Sequence, residues 1–307
     1  MTNETDTPAP SAGAPPIPEK KKAPLETLLV DTDVLMMIYP KTADGDFKHE
    51  INQEDERTIY KLVRNRSCKT NLLICLDTGG GSAYSAVKIM DILRSKYTKH
   101  ISIAVMEEAK SSGTLMCLAA DSIVMDYISE LGPLDKPLPH PDDETATISA
   151  LDIVRSLDAI IDTAKEKQLT LAMRLTKKFG LKRDRAVELA GKSVSDLISP
   201  LLSKQDVVLY NRALRLLKMA EVYGTGYLKK YSFQWIKSDS LRESVVNNIM
   251  RRLIWEYPDH NFAICRDEAE EILLLSIEKA EEKPYWPELW DRFIKNFDGK
   301  NKVIEFI

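Results

Sequence analysis

An α/β fold followed by a mostly helical C-terminal region is what this sequence predicts, and three observations carry that expectation. Residues 71–78, NLLICLDT, form an almost unbroken apolar run that ends in Gly79-Gly80-Gly81. Continuous apolarity marks a strand buried on both faces, as in a parallel sheet flanked by helices. Strand-like and helix-like stretches alternate at crossover spacing up to about residue 138, the pattern of parallel strands joined by right-handed crossovers. Beyond Pro139 the apolar spacing becomes helical, with Leu151, Val154, Leu157, Ile160 and Ile161 in one stripe.

Each element has its own signal. Residues 1–23 combine Pro, Ala and Thr with a Lys run and no apolar periodicity, the composition of a disordered tail. Leu28–Asp31 and Val34–Tyr39 are apolar and β-rich. Gln53–Asn65 has helical spacing, with Ile59, Leu62 and Val63 on one side. After the 71–78 strand, Ser82–Tyr97 reads as an amphipathic helix and His100–Met106 as the next strand. Ser111–Ala120 reads as a short helix of small residues and Ser122–Met125 as another strand. His140–Glu144 is an acidic loop, and Thr147–Phe179, Val207–Tyr231 and Leu241–Trp255 are expected helices. A short strand at Phe262–Ile264, a helix at Asp267–Leu275 and an aromatic helix within 283–299 complete the chain. The organisation expected is therefore a tail over 1–23, an α/β core over 24–139 and a helical region over 140–307 that completes the fold or mediates assembly.

Composition excludes several function classes. Hydrophobic residues make up 44% of the 307 residues and charged residues 29%, as in an ordinary globular protein, and the net charge is -4. That balance offers no basic excess for a phosphate backbone, so nucleic acid is not an expected partner. Cys68, Cys75, Cys117 and Cys265 lack metal-ligand spacing, and the four histidines are scattered. Neither a metal site nor a cofactor is expected, and the cysteines read as small hydrophobes in a reducing compartment. No signal peptide and no apolar stretch of membrane-spanning length is visible, so the expected location is cytoplasmic.

Two loops are the expected seat of chemistry. Asp77–Ser82 lies at the carboxyl end of a buried strand, where open α/β sheets bind ligands. Its glycines allow close approach of a substrate and leave backbone N–H groups to meet it. A phosphate-binding loop would need a following Gly-Lys-Ser/Thr, and the dinucleotide pattern GxGxxG is also missing. The second loop, Ala109–Thr114, sets Ser111 at the first turn of a buried helix. There the helix dipole and the unsatisfied N–H groups favour a nucleophile whose attack creates an oxyanion. A serine in that place also serves as an ordinary N-cap.

The two loops together resemble a known family. Thr78-Gly79-Gly80-Gly81-Ser82, Ala109-Lys110-Ser111-Ser112-Gly113-Thr114-Leu115, Ala119–Met125 and Ser129–Asp135 follow, in order and spacing, the pattern GG, A-x-SAGT, AD-x-IVM and S-x-LGPID. This is similar to the serine dehydrogenase proteinase (SDH) family of the ClpP/signal-peptide-peptidase clan. His260–Ile264 with Glu268-Ala269 extends the likeness thinly towards the C-terminus, with Leu274 where glycine is common. The resemblance implies a ClpP/crotonase-like spiral fold and an ATP-independent serine peptidase that forms an acyl-enzyme. Ser111 falls on the nucleophile, the N–H groups of Gly81 and Ser112 on the oxyanion hole, and Gly79 and Gly80 on the substrate-binding loop. A peptide or protein is the implied substrate and a homo-oligomer the implied assembly.

The general base is not fixed by the motifs. No histidine lies between His100 and His140, and the position near Thr145, where membrane-associated relatives carry lysine, cannot serve. Lys136 in the apolar frame GPLDKPL, Lys165 on the long helix, His140 and the motif histidine His260 are the candidates, with Lys136 preferred and Lys165 expected to be solvated. A lysine base would have to fall from about 10.4 towards 7, which burial can bring about. Lys110 is expected to point away from the site, and Asp135 to be structural. The alternatives are an inactive relative serving as an oligomeric scaffold and, last, acyl-thioester chemistry of the crotonase type.

Overall fold

In the computed structural model, which describes residues 24–42, 45–135, 137–140, 143–296 and 301–307, the chain is built on one mixed sheet. Its elements are, in order, α1 (Leu25–Leu28), β1 (Thr32–Ile38), α2 (Gln53–Arg64), β2 (Asn71–Thr78), α3 (Ala83–Lys96), β3 (His100–Ala109), α4 (Ser112–Leu118), β4 (Ser122–Met125), β5 (Glu130–Leu131), β6 (Pro137–His140), β7 (Asp143–Ser149), α5 (Ala150–Phe179), α6 (Arg183–Leu202), α7 (Val207–Tyr227), α8 (Asp239–Arg251), β8 (Ile264–Cys265), α9 (Arg266–Glu271), β9 (Ile277–Lys279), α10 (Trp286–Asn296) and β10 (Val303–Phe306). Strands run in the order β10-β1-β2-β3-β4-β9, with β5 and β8 extending the upper end of β3. All pairings are parallel except those of β10 with β1 and β8 with β5, and β6–β7 is a separate antiparallel pair.

The two faces of the sheet separate by the period-2 rule of a strand. Leu35, Met37, Ile74, Leu76, Ile103 and Val105 enter one core beneath α2, α3, α4 and α7. Val34, Met36, Ile38, Leu73, Cys75 and Ala104 enter a second, smaller core with Leu25 of α1 and Trp286, Leu289 and Phe293 of α10. Burial on both faces is what the unbroken apolarity of 71–78 predicts. The family expectation of a ClpP-like α/β fold is met. The region after residue 140 gives three strands to the same sheet, since β8, β9 and β10 pair with β5, β4 and β1.

Local expectations are corrected at several places. Leu28–Asp31 is not a strand: Pro24 opens the single turn α1, Leu25 is buried, and β1 starts at Thr32. The long helix expected from Thr147 begins at Ala150, because 143–149 pairs with β6 and Ser149 caps the helix by accepting from Asp152 N–H at 3.0 Å. Thr145 thus lies in a strand rather than at a helix start. The helices expected to run to Tyr231 and Trp255 end at Tyr227 and Arg251, each followed by a π-helical turn, Leu228–Ser232 and Arg252–Glu256. The helix α6 and the edge strand β10 lie outside the sequence expectations. The tail 1–23 lies outside the described residues. Among the described residues no helix is long and apolar enough to cross a membrane.

One irregularity positions the site. The β2–β3 register slips from Leu76↔Val105 to Thr78↔Ala109, so Asp77 alone opposes three residues of β3. The freed N–H groups of Glu107 and Glu108 donate to Asp77 Oδ1 at 3.2 and 2.9 Å. Beyond this bulge β3 leaves β4 and pairs with β5 instead. Bulges bend a strand and re-aim the chain beyond them, and here the re-aimed chain carries Ser111.

Candidate active site

Ser111 is held in a conformation that serine rarely adopts, φ 49° and ψ -112°. A non-glycine residue there is strained by the order of 1–3 kcal/mol and persists only where its surroundings over-determine it. The surroundings are visible. Lys110 N–H donates to Thr78 carbonyl O at 3.0 Å, Gly113 N–H to Lys110 carbonyl O at 2.7 Å, and Leu115 N–H to Ser111 carbonyl O at 3.0 Å. Thr114 Oγ1 lies 2.7 Å from Ala109 carbonyl O and 2.8 Å from Gly132 carbonyl O, and accepts from Gly132 N–H at 3.0 Å. The Ser111 side chain makes no capping bond to its helix. The ordinary N-cap role open to it in sequence is therefore not the one it plays.

The glycine loop lies directly over this turn. Gly80 has φ +104°, and a Cβ on it would stand 2.8 Å from Lys110 carbonyl O and 3.2 Å from Ser112 N. Gly81, at φ +140°, is pinned by Ile51, which donates N–H to Gly80 carbonyl O and accepts from Ser82 N–H, both at 2.8 Å. Gly80 N–H is taken by Thr78 Oγ1 at 3.1 Å. No acceptor within the described residues engages Gly81 N–H, and Ser112 N–H opens its helix without an intrahelical acceptor.

Ser111 lines two cavities. The larger, of about 370 Å³, is also bounded by Glu50, Gly79, Gly81, Arg212 and His260. The smaller, of about 20 Å³, is walled by Ser112 and by apolar side chains of α3, α4 and α7, among them Ala83, Leu115 and Met219. Leu216 of α7 lies in both walls.

Of the candidate bases, His260 shares the large cavity with Ser111. The pairing of β8 with β5, Leu131↔Ile264, anchors its turn beside the chain that follows β3, and Tyr257 stacks on Phe262 at 4.8 Å within that turn. Nδ1 of His260 is buried without a hydrogen-bond partner. Burial lowers the His260 pKa below its ordinary value; the charge and main chain of Asp135 oppose this, and the Lys110 charge adds to it. Asp135 is buried, its carboxylate accepting from Ser149 Oγ and from Leu151 N–H at 3.1 Å, so it fixes the start of α5. Lys165 is exposed on α5 and paired with Asp162 at 2.9 Å, away from the cavity. His140 ends β6 and lines a different cavity with Asp206 and Tyr210. Lys110 pairs with Glu130 of β5. Lys136 lies outside the described residues.

Glu50 and Arg212 are cavity residues that sequence reasoning missed. Arg212 is one basic residue in a helix of mixed character, and no motif surrounds it. Only the α7 periodicity, which puts Arg212 one turn before Leu216, would have marked the face it occupies.

Residues 34–186 match the model of the ClpP-like SDH-type serine proteinase family. An uncharacterized protein of Methanocaldococcus jannaschii is 30% identical over 112 residues, which are 35% of this chain and 39% of that protein. Among solved structures, a mutant of the 1510-N membrane-bound stomatin-specific protease is similar at 18% identity and a TM-score of 0.27, over 47% of this chain and 66% of that one. The chain thus spans less than two thirds of the length of either relative.

Proposed function

The chain belongs to the ClpP-like SDH-type serine proteinase family, and from that premise we propose that it hydrolyses peptide bonds through an acyl-enzyme on Ser111. One observation carries the reading: the strained Ser111 turn, the Gly79–Gly81 loop and His260 meet in one cavity. A ring nitrogen of neutral His260 takes the Ser111 proton as Oγ bonds to the scissile carbonyl carbon. The oxyanion is met by the N–H groups of Gly81 and Ser112, each such donor being worth on the order of 10²–10³ in rate. The C–N bond then breaks, and the imidazolium returns its proton to the leaving amine. Water, activated by the same ring, releases the acyl group. The small apolar cavity next to Ser111 suits a side chain the size of alanine beside the scissile bond.

The test is a fluorophosphonate probe on the native protein, Ser111→Ala and His260→Ala, with the adduct located by mass spectrometry. Labelling at Ser111 that is lost in the first variant and strongly slowed in the second supports the reading. A folded native protein that takes no label overturns it in favour of a binding scaffold. Labelling that survives His260→Ala moves the base elsewhere, with Lys136→Ala as the next variant.

A further inference from the structure

Arg212 lines the large cavity as an exposed side chain, and among the described residues its guanidinium is engaged in no ion pair or hydrogen bond. Elsewhere the basic groups near the sheet are held: Lys41 by Glu107 and Glu108, Arg94 by Asp121, Lys110 by Glu130. Arginine is the side chain best suited to bidentate capture of a carboxylate. An unpaired one in a cavity that contains a nucleophile is therefore placed to meet a ligand. Resting on the peptidase reading of the same cavity, we propose that Arg212 selects substrates carrying a carboxylate about two residues from the scissile bond.

The spacing comes from α7. Arg212, Leu216, Met219 and Ala220 recur at i, i+4, i+7 and i+8, so they form one face, and that face lines both cavities that meet at Ser111. Leu216, like Ser111, lines both cavities. Arg212 lies one turn further along, about 6 Å. An extended peptide advances about 3.3 Å per residue, so a substrate seated with a small apolar side chain at Ser111 brings its second neighbour to Arg212. The helix that supplies this face lies beyond the family-matched segment, which ends at residue 186. Specificity is thereby carried by an element separate from the catalytic loops.

Glu50 sets the polarity of the opposite wall. A Cβ on Gly81 would stand 2.8 Å from Glu50 Cβ, so this carboxylate flanks the glycine loop while Arg212 lies on the helix side. Like-charge repulsion by Glu50 keeps an acidic group from the loop side of the cavity and favours its seat at Arg212. The carboxylate can be an Asp or Glu side chain or the free C-terminus of a short peptide. Both present the same chemistry.

The experiment measures binding of fluorescent peptides by anisotropy to full-length Ser111→Ala protein, so that turnover is not required. The peptides carry Ala at the centre and Asp or Asn two residues to either side, each made as free acid and as C-terminal amide. The expected result is binding at least tenfold tighter for a carboxylate-bearing peptide than for its amide counterpart, a difference of about 1.4 kcal/mol. Arg212→Ala should abolish the difference and Arg212→Glu invert it in favour of a Lys peptide. The Asp/Asn arm identifies a side-chain carboxylate, the acid/amide arm a terminal one. Equal binding of charged and neutral peptides, no measurable binding, or a preference that survives Arg212→Ala overturns the proposal. The phosphonate result on the native protein is independent: an unreactive Ser111 with charge-selective binding removes the peptidase reading and leaves the Arg212 site in place.

Discussion

The α-carbon of Gly80 faces Ser111 so closely that a methyl built on it would stand 2.9 Å from Ser111 Cβ. The same methyl would meet Lys110 carbonyl O at 2.8 Å, a backbone atom already bonded to Gly113 N–H. Nothing flexible can yield. The glycine loop and the serine turn are therefore a single rigid unit, and its geometry is set by the absence of one side chain.

Gly80→Ala should accordingly disable the site and weaken the fold together. Alanine at φ +104° is strained, and the overpacking adds about 1–3 kcal/mol. Thermal unfolding should come several degrees earlier, with phosphonate labelling of Ser111 reduced by more than tenfold. Gly45→Ala is the control, since Gly45 has φ +91° but nothing within 4 Å of a Cβ. It should cost stability modestly and leave labelling intact. Equal effects at the two positions would show that backbone strain alone, and not contact with Ser111, is responsible.

The His260 ring gives the expected pH dependence a definite sign. Its pKa lies below the ordinary 6.5 because burial disfavours the charged ring. With His260 as the proposed base, which acts when neutral, kcat/KM should rise with pH through a midpoint below 6.5 and then stay level through neutrality. Asp135→Asn removes the charge that opposes the shift and should move the midpoint lower still. His260→Gln should lower the rate by at least 10²-fold and erase the limb. Lys165→Ala should leave the profile unchanged, because that side chain is 71% exposed and away from the cavity. An acidic limb that persists in His260→Gln would assign it to another group.

How much of this is legible before the structure depends on which residues carry the signal. The 71–78 strand is legible because burial on both faces leaves an unbroken apolar run, and the two loops because glycine and serine recur at motif spacing. The positive φ of Ser111 is not, since serine at a helix start is compatible with a plain cap. His260 reaches the site through β5 and β8, strands of two residues each, too short for any periodicity to register. Arg212 is exposed and lines the cavity only because α7 packs beside it, which no local pattern announces. Likewise β9 and β10 are edge strands of three and four residues whose partners lie more than a hundred residues away in sequence.

Lys110 separates support from catalysis. Its side chain is 10% exposed, crosses Gly132, pairs with Glu130 and approaches Leu131 carbonyl O at 3.4 Å. Lys110→Met should destabilise the protein by about 1–3 kcal/mol, because Glu130 loses its partner while staying only 28% exposed. Adding Glu130→Gln should recover part of the loss in a denaturant titration. Ser111 labelling per folded molecule should be retained in both variants. Loss of labelling without loss of stability would make Lys110 part of the catalytic machinery.

Asp77 ties the bulge beneath the site to pH. Its Oδ1 accepts the two freed N–H groups of β3, while Oδ2 is buried without a hydrogen bond and lies 3.8 Å from Lys41 Nζ. Lys41 is shared with Glu107 and Glu108, so one cation faces three carboxylates. Burial raises the Asp77 pKa to about 7, against the attraction of Lys41. A carboxyl group that is protonated in the folded state and ionised in the unfolded one makes stability fall as pH rises. For Asp77 that window runs from about 4, its unfolded value, to about 7. Asp77→Asn keeps an acceptor for both N–H groups and removes the titration. The melting temperature of the variant minus that of the native protein should therefore grow from pH 5 to pH 7 and stay constant above it. A difference that stays flat over that interval would mean that attraction to Lys41 outweighs burial and holds Asp77 ionised.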